Sequence, residues 1–337
     1  MRHTITAILA LCAVLGLAVF ITLAPLWRGF DAWRQVWPLV MVFAVMVTLV
    51  SLRNRHRFVP ILLSLSLVMI ALPAAPEWAR KLSGGLLADA DADTMGTAGT
   101  LTVVTHNLWG LSTDPADAPR VLAELEPDIL ALQEATGRAR ATLDALEASF
   151  PHHARCRSVR VLSRLPMRDS GCVTHPPGIS FENAVPCDWE LPPAVWARVE
   201  LPDGSEAIIV SVHLTWPFPS AAQACQSSNL ARALATMPPE RMIVMGDFNA
   251  AAPSRALARI ERDLGLERRS IALPSWPSEG LFTANGHSAP PLPPMLIGID
   301  HVFAGSAWQT RSIEVGPDTG SDHRPLVARL RTAPVRS

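Results

Sequence analysis

The sequence predicts an α/β chain of the α+β kind: a layered domain of mixed strands and helices, preceded by three transmembrane helices. Three observations predict it. An apolar surplus is concentrated in three uncharged runs at the N-terminus. Residues 100–331 then alternate short β-branched strands with helical stretches. Several of those strands end in clusters of carboxylates, amides and histidines.

Composition narrows the class first. The chain has 337 residues, of which 49% are hydrophobic and 18% charged, against about 25% charged in an average soluble chain. With a net charge of only -1, a disordered chain is excluded. Five cysteines are too few for a disulfide mini-protein, and the charge balance disfavours a strongly basic nucleic-acid binder.

The three runs cover residues 4–26, 36–52 and 58–76. At ~1.5 Å per helical residue each spans roughly 25–35 Å, about the thickness of a bilayer core. A cleaved signal peptide accounts for the first run alone, with Arg2 and His3 as its charged start; two more runs directly behind it favour an anchor. Arg53, Arg55 and Arg57 fill the loop after the second run. Positive charge stays cytoplasmic, so this loop and the N-terminus are expected inside and everything after Pro76 outside. Arg80 and Lys81 point weakly the other way. Residues 77–99, with Gly84-Gly85 and an Ala/Asp repeat at 88–93, read as a flexible linker before a domain at 100–331. The expected location is the cell (cytoplasmic) membrane, multi-pass, with the domain extracytoplasmic.

Cysteine usage agrees with export. Cys12 lies in the first run, and Cys156, Cys172, Cys187 and Cys225 lie in the domain without zinc-type spacing. Two disulfides are expected, with Cys156–Cys172 favoured across a hairpin turning at residues 164–166, and Cys187–Cys225 by remainder. The alternative is four buried thiols.

Within the domain, strands are expected at 101–105, 128–132, 195–200, 207–214, 242–245, 298–303, 312–315 and 326–330, and a hairpin at 159–163 and 167–174. Helices are expected at 117–126, 137–150, 221–237 and 254–264, the last with a serine N-cap. The polar strand ends are Thr105-His106-Asn107, Gln133-Glu134, His213, Gly246-Asp247-Phe248-Asn249, Asp300-His301 and Ser321-Asp322-His323-Arg324-Pro325. Strand ends on one sheet edge converge, so these residues can share one site. Glu134 and Asp322 are hard oxygen donors suited to Mg²⁺ or another divalent cation. A hard cation beside His/Asp pairs suits displacement at phosphorus. A phosphate-binding P-loop and a Gly-x-Ser-x-Gly elbow are both missing from the sequence.

Six motifs in order carry a specific likeness: LTVVTHNLWG at 101–110, DILALQE at 128–134, VSVHL at 210–214, GDFN at 246–249, IDHV at 299–302 and SDHRP at 321–325. Together they resemble the endonuclease/exonuclease/phosphatase superfamily. The membrane-anchored arrangement resembles, more loosely, a bacterial branch that includes the vancomycin/teicoplanin-resistance membrane proteins. The resemblance implies a four-layer sandwich of two mostly antiparallel sheets flanked by helices, and a metal-dependent phosphoesterase. It implies that Glu134, Asn107 and Asp322 serve a Mg²⁺ (or Mn²⁺) ion. It implies that His323 contacts the scissile phosphate and Asp300 orients it. Asp247 and Asn249 would position the attacking water, and His213 would act as general acid. Glu182 is a possible partner for His213. Trp109, Trp216 and Phe218 follow site motifs and are candidates to line the substrate groove, whereas His106, His301, His152 and His153 read as structural.

Substrate class rests on charge and anchoring. Eight of the 29 Lys/Arg and five of the 30 Asp/Glu precede residue 97, so the remainder holds 21 cations against 25 anions. A nuclease draws most of its affinity from phosphate contacts and shows a basic face. The expected substrate is therefore a membrane lipid or lipid-linked (pyro)phosphate at the extracytoplasmic face. The alternatives are an extracytoplasmic nuclease, using the arginines at 155, 157, 160, 164 and 168, and a non-catalytic membrane scaffold.

Overall fold

A computed structural model describes residues 75–88, 99–110, 117–178, 190–218, 220–278 and 295–332, with Cys187 and isolated earlier positions, among them Asp31, Gln35 and Trp37. The three apolar runs lie largely outside the described residues. Among those described, no helix is long and apolar enough to cross a membrane.

Among the described residues, twelve strands form two six-stranded sheets. The first contains β1 (Thr100–Asn107), β2 (Ile129–Gln133), β3 (His152–Cys156), β4 (Val159–Ser163), β11 (Trp308–Val315) and β12 (Leu326–Thr332), in the order β11-β12-β1-β2-β4-β3. The second contains β5 (Met167–Cys172), β6 (Ala194–Glu200), β7 (Glu206–His213), β8 (Met242–Asp247), β9 (Glu267–Arg268) and β10 (Asp300–Ala304), in the order β5-β6-β7-β8-β10-β9. Each sheet has one parallel pair at its centre, β1 with β2 and β7 with β8; the other pairs are antiparallel. The helices with described bounds are α1 (Ala75–Ala88), α2 (Ala118–Glu124), α3 (Arg140–Glu147), α4 (Ser220–Leu234) and α5 (Arg255–Leu264).

The strand sequences explain the layering. Side chains alternate between faces with a period of two. Thus Val103, Ile129, Ala131, Ile209, Ile243 and Met245 meet between the sheets. Their neighbours Val104, Leu130 and Leu132 pack outward with Leu122, Leu143 and Leu146 of α2 and α3. Val210, Val212 and Val244 pack with Leu230, Leu234, Leu257 and Ile260 of α4 and α5. Strands buried on both faces read as continuous apolar runs, as these do. Helix α5 buries one stripe, Ala256, Leu257, Ile260 and Leu264. It starts at Ser254, whose side chain accepts from Leu257 N, and stops at left-handed Gly265.

Two expectations are corrected, and the expected disulfide pairing is met with a different geometry. The segments 159–163 and 167–174 do not form a hairpin. β4 pairs with β2 and with β3, a strand not foreseen, while β5 pairs with β6 in the other sheet. The chain changes sheets at Arg164-Leu165-Pro166, where the Ser163 hydroxyl binds both backbone groups of Leu165 and Pro166 O accepts from Glu200 N. The disulfides pair Cys156 with Cys172 and Cys187 with Cys225, but the first joins β3 to β5 across the two sheets. The linker expected at 77–99 is helical through residue 88, and its start is docked. Glu77 forms a bidentate pair with buried Arg268 and accepts from Ala272 N at 2.8 Å. Burial opposes the Glu77 charge, but Arg268 and the Ala272 N–H hold the carboxyl below its usual range.

Candidate active site

The site lies at the strand ends of both sheets. Asn107, the last residue of β1, is fully buried. Its amide nitrogen donates to Glu134 Oε1 at 3.1 Å and to Asp247 Oδ2 at 2.9 Å, tying the two sheets together. Its oxygen accepts from Trp109 N at 2.8 Å. Glu134 follows β2, and its second oxygen accepts from Gly110 N at 3.0 Å. Three site residues, Trp109, Glu134 and Asn249, have left-handed φ values of 50°, 50° and 46°. Such strain persists only where surrounding structure holds it.

From the second sheet come Asp247, Asn249, His213 and Asp300. Asp247 ends β8 and its Oδ1 accepts from Asn249 N at 2.7 Å. The preceding Gly246 has φ +149°, and a Cβ there would lie 2.0 Å from Val212 O, so the parallel β7–β8 pairing at this point requires glycine. Asn249 donates to Leu214 O at 2.9 Å and sits 3.3 Å from His213 Nε2. His213 Nε2 is in turn 3.5 Å from Asp247 Oδ2 and 3.9 Å from Glu134 Oε1.

His323 and Asp300 form the deepest pair. His323 Nδ1 is 2.8 Å from Asp300 Oδ2, which also accepts from Ser275 Oγ at 2.6 Å. His323 Nε2 faces Asp247 Oδ2 at 3.8 Å and Asp322 Oδ1 at 3.9 Å. Burial works against a charged ring, yet the Asp300 and Asp247 carboxylates outweigh it and push His323 up to about 10. It is therefore an imidazolium at neutral pH. Burial, joined by the Asp300 charge, pushes Asp247 up to about 6 against the pull of His323 and His213. Asp300 is held low despite burial, because His323 and Ser275 both bind its charged form.

The donor set fits a hard cation at Glu134 and Asp322. Asp322 Oδ1 is buried without a hydrogen-bond partner, while Oδ2 accepts from Trp276 Nε1 at 3.3 Å. Burial raises the Asp322 carboxyl, and the Glu134 charge adds to that rise although His323 and Trp276 lower it. A cation between two such carboxylates removes their repulsion. Asn107, expected to serve the metal, holds Glu134 Oε1 through its amide nitrogen while its oxygen accepts from Trp109 N. Asp247, Asp300 and His323 also bring ligand atoms within 4.8 Å of one another.

All eight predicted polar residues converge here. The aromatic expectations divide. Trp109 is buried, with its backbone on Asn107, and does not line an open groove. Trp216 is 54% exposed and meets Trp276 edge-on with ring centroids 6.0 Å apart; Phe218 beyond it is 50% exposed. Glu182 lies outside the described residues. His106 and His301 are buried structural groups, as expected: His106 Nε2 meets Thr319 Oγ1 at 2.8 Å, and His301 bridges Ser270 Oγ and Ala250 O. Sequence reasoning missed Ser275 and Trp276, which sit in a proline-rich stretch with no strand pattern to flag them. Ser321, named with the converging strand ends but given no role there, donates its hydroxyl to Asn107 O at 2.7 Å and accepts from His323 N at 3.1 Å.

Comparison with known proteins agrees with this geometry. Residues 104–323 match the model of the Endonuclease/Exonuclease/phosphatase family, and the chain belongs to that family. Its members are phosphoesterases and nucleases, generally hydrolytic on phosphodiester bonds and typically using a divalent metal. No curated protein sequence matches the chain significantly. Among solved structures, an endonuclease/exonuclease/phosphatase from Beutenbergia cavernae is 19% identical with TM-score 0.52, covering 69% of this chain and 72% of that one. A family protein from Bacteroides thetaiotaomicron is 14% identical with TM-score 0.53, covering 69% and 98%. D. rerio TDP2 with a single-strand DNA product is 16% identical with TM-score 0.50, covering 69% and 99%. At these identities the likeness is one of fold.

Proposed function

We propose that the protein is a membrane-anchored, divalent-metal-dependent phosphoesterase that cleaves a phosphoester or pyrophosphate of a lipid substrate at the extracytoplasmic face. The observation that carries the hydrolytic part is the buried His323–Asp300 pair facing Asp247, with Glu134 and Asp322 beside it. A metal held by Glu134 and Asp322 would supply Lewis-acid polarisation of a phosphoryl oxygen. The chain's own groups do the rest. Asp247, pushed up to about 6, accepts a proton from water near neutral pH, and Asn249 orients that water. His323, fixed by Asp300, places a full positive charge against the oxygens that gain charge in the transition state. His213, with 19% of its side chain exposed at the mouth, protonates the leaving oxygen. A scaffold without catalysis would have no need of a buried charge network of this kind.

The lipid part is supported by the apolar runs, the net negative charge after residue 97 and the exposed Trp216 and Phe218 beside the site. A nuclease reading draws on D. rerio TDP2, whose structure holds a single-strand DNA product. The arginines it needs are partly engaged: Arg168 pairs with Glu200, Arg160 lies 3.8 Å from Glu147, and Arg164 stacks on Phe150. The test is hydrolysis by the full chain with Mg²⁺ of a phospholipid, a polyprenyl diphosphate and plasmid DNA. Lipid turnover with intact plasmid is expected; nicked plasmid with untouched lipid would overturn the substrate assignment.

A further inference from the structure

The loop carrying Asp247 and Asn249 is held from outside the catalytic domain. Gln35 is 3% exposed, and its Oε1 accepts from Ala251 N at 3.0 Å. Its Nε2 lies 3.4 Å from Gln223 Oε1. Gln223, on α4, is itself 3% exposed, and its Nε2 donates to the carbonyls of Asn249 at 2.7 Å, Thr215 at 3.0 Å and Phe248 at 3.3 Å. Two more contacts flank this chain. Trp37 Nε1 donates to Ala252 O at 3.2 Å, and Asp31 Oδ2 accepts from Arg255 N, at the first turn of α5, at 2.9 Å. A carboxylate at a helix N-terminus meets both unpaired N–H groups and the positive end of the dipole.

We propose that Asp31, Gln35 and Trp37 are positioning residues of the active site: these three, lying just before and at the start of the second apolar run, clamp the Asp247–Asn249 loop. The proposal rests on the phosphoesterase reading for its catalytic consequence. The physical argument is local. Asn249 is left-handed at φ 46°, a conformation that persists where surrounding structure holds it. Residues 250–254 form no strand or helix, and the Ala250 carbonyl, the Ala251 N–H and the Ala252 carbonyl are each satisfied by a side chain. Gln35 takes the Ala251 N–H, Trp37 the Ala252 carbonyl, and Gln223 the two carbonyls before them. Withdrawing the clamp frees the loop while leaving the sheets intact, and displacement of about 1 Å is enough to cost ~100-fold in rate. Under the membrane-anchored reading, Asp31, Gln35 and Trp37 lie on the same side of the membrane as the catalytic domain.

The test uses the full chain in detergent micelles with Mg²⁺ and bis(p-nitrophenyl) phosphate. Gln35→Ala is expected to lower kcat about 10–100-fold with KM within about 2-fold. Gln35→Glu keeps the acceptor for Ala251 N but sets a buried carboxylate against Gln223 Oε1, so it should not recover that loss. Gln223→Ala should resemble Gln35→Ala, and the double variant should be no worse than the poorer single, because both act through one chain of bonds. Trp37→Phe removes only the indole donor and covers the case in which Gln35→Ala does not fold. Hydrogen exchange of the 247–254 backbone supplies a readout independent of activity, and faster exchange at Ala251 is expected in Gln35→Ala. Unchanged exchange there, or wild-type kcat in both Gln35→Ala and Trp37→Phe, would overturn the clamp. If wild type itself shows no turnover while exchange still rises in the variants, the phosphoesterase reading fails and the clamp stands.

Discussion

His301 makes the fold acid-sensitive by a predictable amount. Its ring is 2% exposed and packs edge-on against Phe248 and Phe303, with centroids 5.8 and 6.1 Å away. Its two nitrogens are committed to Ser270 Oγ at 2.9 Å and Ala250 O at 2.8 Å, an arrangement for the neutral ring. Burial, reinforced by the Arg268 charge, lowers it to about 3, against ~6.5 in an unfolded chain. The folded value is depressed, so below pH ~6.5 the unfolded state binds a proton that the native state refuses. Stability is complete above that pH and is lost progressively as pH falls toward 3. At pH 5 the loss from this residue is about 2 kcal/mol relative to pH 7.5. For a domain of this size that corresponds to roughly 4–8 °C in Tm. The assay is thermal unfolding of the full chain in detergent at pH 7.5 and pH 5, wild type against His301→Gln. Glutamine is neutral throughout, and other acid-sensitive groups, including His106, are common to both proteins. The wild-type drop should exceed the variant's by that 4–8 °C. Equal drops would show that His301 accepts its proton in the folded state, and the reasoning from burial would fail.

Three further outcomes are expected. Asp300→Asn removes the charge that holds His323 as an imidazolium, so kcat should fall by about 10²–10⁴ with little change in KM, read by steady-state kinetics with Mg²⁺. Glu77→Ala leaves Arg268 buried and unpaired beside α1, so the unfolding free energy should drop by about 3–5 kcal/mol; a surface ion pair would give under ~1 kcal/mol. Gly246→Ala places a methyl against Val212 O and should destabilise by about 3 kcal/mol or more, seen as a lowered Tm or loss of soluble protein.

Most of the site was legible in the sequence because strand-end positions there are adjacent to unmistakable apolar runs. Val210, Val212, Val244 and Met245 announce their strands, and His213, Asp247 and Asn249 follow directly. The parts that were not legible depend on long-range pairing. Nothing local to Val159–Ser163 and Met167–Cys172 says that they belong to different sheets, since a tight turn with proline reads equally as a hairpin. The partner is chosen by the sheet edge each strand finds. β3 was missed because His152–Cys156 carries two histidines and an arginine and buries only Ala154 and Cys156, too short an alternation to identify. Ser275 and Trp276 act through contacts with Asp300 and Asp322 from 25 and 46 residues away. The composition of residues 77–88 concealed a helix anchored by two ion pairs with distant residues, Glu77 with Arg268 and Arg80 with Glu261.

The most direct measurement is product release by the full chain reconstituted in phospholipid bilayers with Mg²⁺, offered a polyprenyl diphosphate and plasmid DNA together, wild type beside His323→Ala. Phosphate released from the lipid, absent with His323→Ala, and an intact plasmid are the predicted result. A nicked plasmid beside untouched lipid would contradict the substrate class, and hydrolysis that survives His323→Ala would contradict the site itself.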